Sequence, residues 1–127
     1  MSKFVETTYV NKKDILKFPD HYVAMTVTVD DTDIVADENG KKIVKAGTVV
    51  GGKALPVMAN LTEPVVEKNT QTVDGSAAEG VLLNDVDVTY GPAAAAMVIH
   101  GFIALDKLPE APCEEAVTAL KQIFFIK

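Results

Sequence analysis

The sequence predicts a small, mostly β module with one short helix near its C-terminus, and three observations carry that expectation. Apolar, β-branched residues recur in short runs, several alternating with polar ones. Turn-forming Gly, Pro, Asn and Asp punctuate those runs at the spacing of an all-β sandwich or barrel-like module. Only residues 114–120 carry the chemistry of a helix. At 127 residues the chain fits a single domain around one core. Aromatic residues make up 6% and Trp is absent, so Val, Ala, Leu and Ile must fill the interior.

Each element follows from local chemistry. Val23, Met25, Val27 and Val29 alternate with Ala24, Thr26, Thr28 and Asp30, a half-buried strand that the polar run 30–33 ends. Residues 34–36 and 41–44 bracket Asp37-Glu38-Asn39-Gly40, where Gly40 can take the left-handed conformation that closes a hairpin. Ala46-Gly47 breaks the chain, residues 48–50 form a short strand, and Gly51-Gly52 is expected to turn it. Pro56 and Pro64 exclude a long central strand over 55–72, and Val65-Val66 is too short to assign. Residues 73–79 read as a loop feeding a turn at Gly80. Two apolar runs, 81–83 and 86–88, flank Asn84-Asp85, and Gly91-Pro92 makes the next turn.

Residues 93–103 are apolar on both faces and predict the central strand. Strict alternation sets Ala94, Ala96, Val98, His100 and Phe102 on one face and Ala95, Met97, Ile99 and Ile103 on the other. Pro112 suits a first helical turn, and Glu114 and Glu115 sit where the helix dipole favours negative charge. The helix is too short to persist alone and must lie on the sheet. Residues 123–126 form the final strand.

Residues 1–20 have a different character. Four Lys face three acids there, a local charge of +1, so the remaining 107 residues carry −7 of the total −6. The apolar residues Phe4, Val5, Tyr9, Val10, Ile15, Leu16 and Phe18 hold neither a strand nor a helix period for long. Two readings stay open: a loose end or short first strand, or an arm that orders by adding a strand to a partner.

Composition excludes several functions. All 12 basic residues are Lys in an acidic chain. Without the planar Arg fork, nucleic acid is not an expected partner, and the charge disfavours anionic membranes. The lone Cys113 excludes an internal disulfide framework or a Cys-rich zinc site. No apolar run is long enough to span a bilayer, and the N-terminus lacks the apolar stretch of a secretory signal. The expectation is therefore a protein made in a cytoplasm. His21 and His100 are the only candidate bases, and neither they nor Cys113 lie in a nucleophile motif.

Two acidic groups, Asp30, Asp31, Asp33 and Asp37, and Asn84, Asp85 and Asp87, lack the ligand spacing of a calcium loop and read as Asx-type turns. Gly51-Gly52-Lys53 lacks the spacing of a phosphate loop. The sequence thus points to a protein that is not an enzyme, with no catalytic residues, metal or cofactor.

An ordered set of motifs adds a resemblance. Lys45-Ala46-Gly47-Thr48-Val49-Val50-Gly51 starts one strand; Gly80-Val81-Leu82-Leu83-Asn84-Asp85-Val86-Asp87-Val88-Thr89 follows a loop. Then come Val98-Ile99-His100-Gly101-Phe102, Leu108-Pro109 and the helix at 114–120. In this order, over about residues 22–127, the chain resembles the head decoration proteins of tailed bacteriophages. In particular it is similar to the lambda-type capsid-stabilising family and the related head fibre proteins.

The resemblance implies a compact β-tulip fold, commonly a homotrimer, seated on the outer surface of the mature capsid at three-fold positions and stabilising the head. It implies an N-terminal arm, residues 1–20, against the major capsid protein, and a decoration domain, residues 21–127. The candidate capsid-binding residues are then Phe4, Val5, Tyr9 and Val10, with Lys12, Lys13 and Lys17 meeting an acidic shell. One such arm contributing ~4 kcal/mol would be a millimolar contact, and three on one trimer gain 10²- to 10⁴-fold by avidity. Ala93, Ala94, Ala95 and Ala96 are the candidate trimer interface, unless they pack beneath a neighbouring strand. The alternative function is a host-surface or carbohydrate-binding β-module displayed on the particle.

Overall fold

The computed structural model describes residues 15–32, 34–69 and 76–127. Its strands in chain order are β1 (Tyr22–Val29), β2 (Ile43–Val44), β3 (Val49–Gly52), β4 (Val65–Glu67), β5 (Gly80–Leu82), β6 (Val86–Asp87), β7 (Ala93–Ala104) and β8 (Ile123–Ile126), and the one α-helix, α1, is Glu114–Ala119. A 3-10 turn at Leu105–Lys107 follows β7. The protein is a small, mostly β module with one short helix, as its sequence predicts.

Strand pairing closes on itself. Neighbours run β1-β4-β3-β5-β7, and β7 pairs back onto β1, so five strands form a ring. Closure leaves no open edge among those five, which is how small β proteins avoid edge-to-edge association. The narrowest seam joins β1 and β4 through one parallel pair, Val29 and Val65, with the Asp30 N–H donating to the Val65 carbonyl at 3.0 Å.

Each ring strand sends apolar side chains inward: Val27 and Val29 from β1, Val65 from β4, Val50 from β3, Leu82 from β5 and Met97 from β7, all in one buried cluster. Val44, Val86 and Val88, from β2, β6 and the residue after β6, and Val57 from the loop between β3 and β4 complete that cluster. The alternate residues Val49, Val81 and Val98 belong to a second cluster outside the ring with Ala116 and Leu120 of the helix segment, Ile123 of β8, Ile103 and Leu108. Residues on both faces of β3, β5 and β7 are therefore buried, which explains their unbroken apolar runs.

Several expectations need correction. Gly51 and Gly52 do not turn the chain; they extend β3. A Cβ on Gly51 would collide with the Ala77 carbonyl oxygen, and one on Gly52 with that of Leu55, so glycine serves close backbone approach there. Gly80 likewise opens β5, against Met97 and Val98. The turn at residues 37–40 forms, with Gly40 at φ 77°, but residues 34–36 are not a strand and β2 pairs instead with β6.

The face assignment of β7 also changes. Val23 pairs with His100 and Ala24 with Val98, so Ile99 is an extra residue, a β-bulge. One inserted residue shifts the alternation, and Ile103 joins the cluster of Val98, not that of Met97. Val23 correspondingly lies half-exposed at the end of β1.

The boundary at residue 20 moves as well. Ile15 is fully buried and Leu16 nearly so, both within the outer cluster. Leu16 bridges Ile103, Ala104 donates its N–H to the Ile15 carbonyl at 2.7 Å, and Lys17 donates to the Phe102 carbonyl at 2.8 Å. The folded body thus begins no later than Ile15, because burying those two side chains ties the segment to β7.

Candidate binding surface

The Lys17 bond to Phe102 brings the segment before β1 against β7, and a group of rings gathers there. Phe102 lies edge-on to Phe18, with centroids 5.3 Å apart and planes at 77°, and stacks on Phe124 of β8 at 5.5 Å and 21°. The His21 ring is 5.9 Å from Phe102 and 5.1 Å from His100. Both separations between phenyl rings fall within the range of favourable aromatic pairs. Phe18 is 50% exposed and Phe124 55%. Tyr22 and Val23, also exposed, pair in register with Gly101 and His100. The chain has eight Phe and Tyr residues, six of them described, and four of those six lie in or beside this patch. In so aromatic-poor a protein, most of the described rings are thus gathered at one surface.

The two histidines join through one hydrogen bond, Nε2 to Nε2 at 3.2 Å. His100 Nδ1 is buried with no partner. This pair ties the segment before β1 to β7.

The carboxylates singled out in the sequence hold the fold's own backbone. Asp37 Oδ1 accepts the N–H groups of Asn39 and Lys41, each at 2.9 Å. Asp85 Oδ1 accepts from Ala46 at 2.7 Å, and Asp87 accepts from the Thr89 amide at 2.9 Å and from its hydroxyl. The Thr89 hydroxyl and amide hold the Asp87 carboxyl below its ordinary pKa. Asp30, 7% exposed, lies 2.9 Å from the Lys53 ammonium. That hydrogen-bonded cation lowers the Asp30 pKa, against the opposing effect of burial. Among the described residues, no three His, Cys, Asp or Glu side chains gather where they could hold a metal ion, and no helix is long and apolar enough to cross a membrane.

A carboxylate that the sequence reading passed over, Glu79, does the most bracing. Its Oε2 accepts the N–H groups of Gly52 and Val57 at 2.7 and 2.8 Å, and its Oε1 that of Met58 at 3.0 Å. It ties down the loop between β3 and β4, which presents Leu55, Met58 and Leu61 to solvent. Asn69 acts similarly before the helix, donating to the Ala111 carbonyl and accepting the Cys113 N–H at 2.7 Å.

Of the residues proposed from sequence, Phe4, Val5, Tyr9, Val10, Lys12 and Lys13 lie outside the described residues. Lys17 is exposed at the foot of the aromatic patch, but on the folded body and not in an arm. Ala93–Ala96 pair with residues 26–29 of β1. Ala93 and Ala95 pack against the ring interior, while Ala94 is exposed and Ala96 half-buried. The aromatic patch itself was missed, because its members come from positions 18–21, 100–102 and 124, which no local spacing relates. A scan against protein-family models matches none, and a search of curated proteins finds no match.

Proposed function

We propose that this protein decorates the outside of a tailed-phage head, binding the major capsid protein at three-fold positions as a homotrimer and stabilising the shell. The observation that carries this reading is the order of its motifs: they fall in sequence on β3, β5, β6 and β7, of which β3, β5 and β7 are neighbours in the ring, and then on the helix. Two further features support it. The polar groups of its turns are spent on their own backbone, as suits a rigid spacer. The exposed rings of Phe18 and Phe124 sit beside the root of the N-terminal segment, offering apolar contact where an arm would leave the body.

In this mechanism each copy makes one weak contact, and linkage of three copies multiplies them. The alternative, an adhesion module using acidic loops, is less favoured, since Asp37, Asp85 and Asp87 accept backbone amides of their own fold. Co-sedimentation with empty expanded shells tests the proposal, with light scattering for the oligomer. Stoichiometric binding by a trimer is expected. A strict monomer that stays in the supernatant at micromolar concentration overturns it.

A further inference from the structure

His21 and His100 stand 79 residues apart in the chain, yet their Nε2 atoms lie 3.2 Å from each other. Their ring planes cross at 71° with centroids 5.1 Å apart, so the rings meet at these nitrogens and are not stacked. Imidazole is the side chain that most often binds metal ions. Two imidazole nitrogens held ~2.0 Å from one zinc ion at a near-tetrahedral angle stand about 3.3 Å apart. The two histidines already hold that spacing.

Hydrogen-bonded backbone fixes both partners. His100 pairs with Val23 and Gly101 with Tyr22, across the strands β7 and β1. The His21 backbone N–H donates to the Phe18 carbonyl at 3.2 Å, and that of Lys17 to the Phe102 carbonyl at 2.8 Å. His21 is exposed and His100 half-buried, so an ion reaches the pair from solvent and keeps water in its remaining positions.

We propose that His21 and His100 form a two-histidine site for a divalent transition-metal ion, zinc or copper(II). Imidazole donors suit these ions, whereas magnesium and calcium take oxygen ligands. A ligating ring carries its proton on Nδ1, and that of His100 is buried without a partner; this cost, with only two protein ligands, holds the affinity to roughly the micromolar range. The ion would tie the turn before β1 to β7 and, by binding the folded chain alone, raise its stability. The site rests on the geometry of the two rings and stands whether or not the protein binds a shell.

The test titrates zinc chloride calorimetrically into the full-length protein, in a Cys113→Ser background that removes the single thiol. His21→Ala and His100→Ala variants accompany it, with magnesium as the control ion. One zinc per chain is expected, and copper(II) should bind more tightly. Because the second imidazole binds intramolecularly, either substitution should weaken zinc binding by ~100-fold or more. Saturating zinc should raise the melting temperature of the parent protein and leave both variants unmoved. Melts without metal establish that each variant folds, and His21→Ala, at an exposed position, suffices if His100→Ala does not. Equal zinc affinity in the parent and in His21→Ala overturns the proposal. So does an absence of binding at millimolar zinc, an equal response to magnesium, or a loss confined to one of two folded variants.

Discussion

Replacing Phe124 with Ala probes the aromatic patch with little risk to the fold. A phenyl side chain offers ~200 Å² of surface; at 55% exposure about 110 Å² of it faces solvent. Covering that area on a partner is worth ~2.7 kcal/mol at ~25 cal/mol/Å². Alanine keeps a small part, so the truncation should cost about 2 kcal/mol, or ~30-fold in the affinity of one contact. Three linked contacts compound the loss, and shell binding should become undetectable at concentrations that saturate with wild type. The fold loses the stack on Phe102, about 1 kcal/mol, and most of the ~2 kcal/mol from the ~90 Å² of ring that the fold itself buries, so thermal unfolding must confirm that the variant remains native.

Tyr90 supplies the control. It is 99% exposed in the turn between β6 and β7, and Tyr90→Ala removes a comparable exposed ring outside the patch. Binding is read by co-sedimentation over a concentration series. A Phe124→Ala protein that saturates shells at the wild-type concentration refutes the patch as a contact. Equal losses from Phe124→Ala and Tyr90→Ala would refute its location.

Three other perturbations test the frame around that surface. Glu79→Ala strands three backbone N–H groups and should cost ~3 kcal/mol, about 10 °C in melting temperature for a chain of this size; a shift under 2 °C would show that the loop between β3 and β4 holds itself. Deleting residues 2–13 spares Ile15 and Leu16 and supplies the reference melt. Deleting 2–18 removes buried Ile15 and Leu16 at ~2–5 kcal/mol each, and cooperative unfolding should be lost; equal melts would contradict their place in the core. Because the folded Asp30 pKa is depressed, the stability from its Lys53 contact is full above about pH 4, the unfolded carboxyl value, and fades as pH falls through the lower folded value. Urea titrations at pH 7, 4 and 2.5 should show a smaller acid loss in Asp30→Asn than in wild type, and parallel curves would rule out that coupling.

The elements that could be read from the sequence are those whose cause is local. The final strand matches at Ile123–Ile126, and the helix falls at Glu114–Ala119, because β-branching, a Pro in the approach and paired acids act within a few residues. Pairing partners were not legible in the same way. β2 finds β6 across some 40 residues, and nothing near Ile43 announces Asp87. The glycines misled for a physical reason, since a turn and a tight approach of two backbones both exclude a Cβ and look alike in one dimension.

β7 shows where the fold and the candidate site depend on the same unread detail. Were Ile99 a regular member of the strand, alternation would set Phe102 on the face of Val98, beneath the helix layer, and Ile103 on the face of Met97. The bulge reverses both. Ile103 enters the outer core, and Phe102 is left among Phe18, His21 and Phe124 at the edge of the body. The single hint was Gly101, a glycine inside an otherwise apolar strand, which often marks a bulge. Its φ of 154° and the tight packing of Tyr22 against it fit that role. Deleting Ile99 would therefore remove the bulge while keeping Phe102 and Ile103 on their present faces, so the patch and the outer core should both survive it, and a loss of either would contradict the assignment of Ile99 as the extra residue.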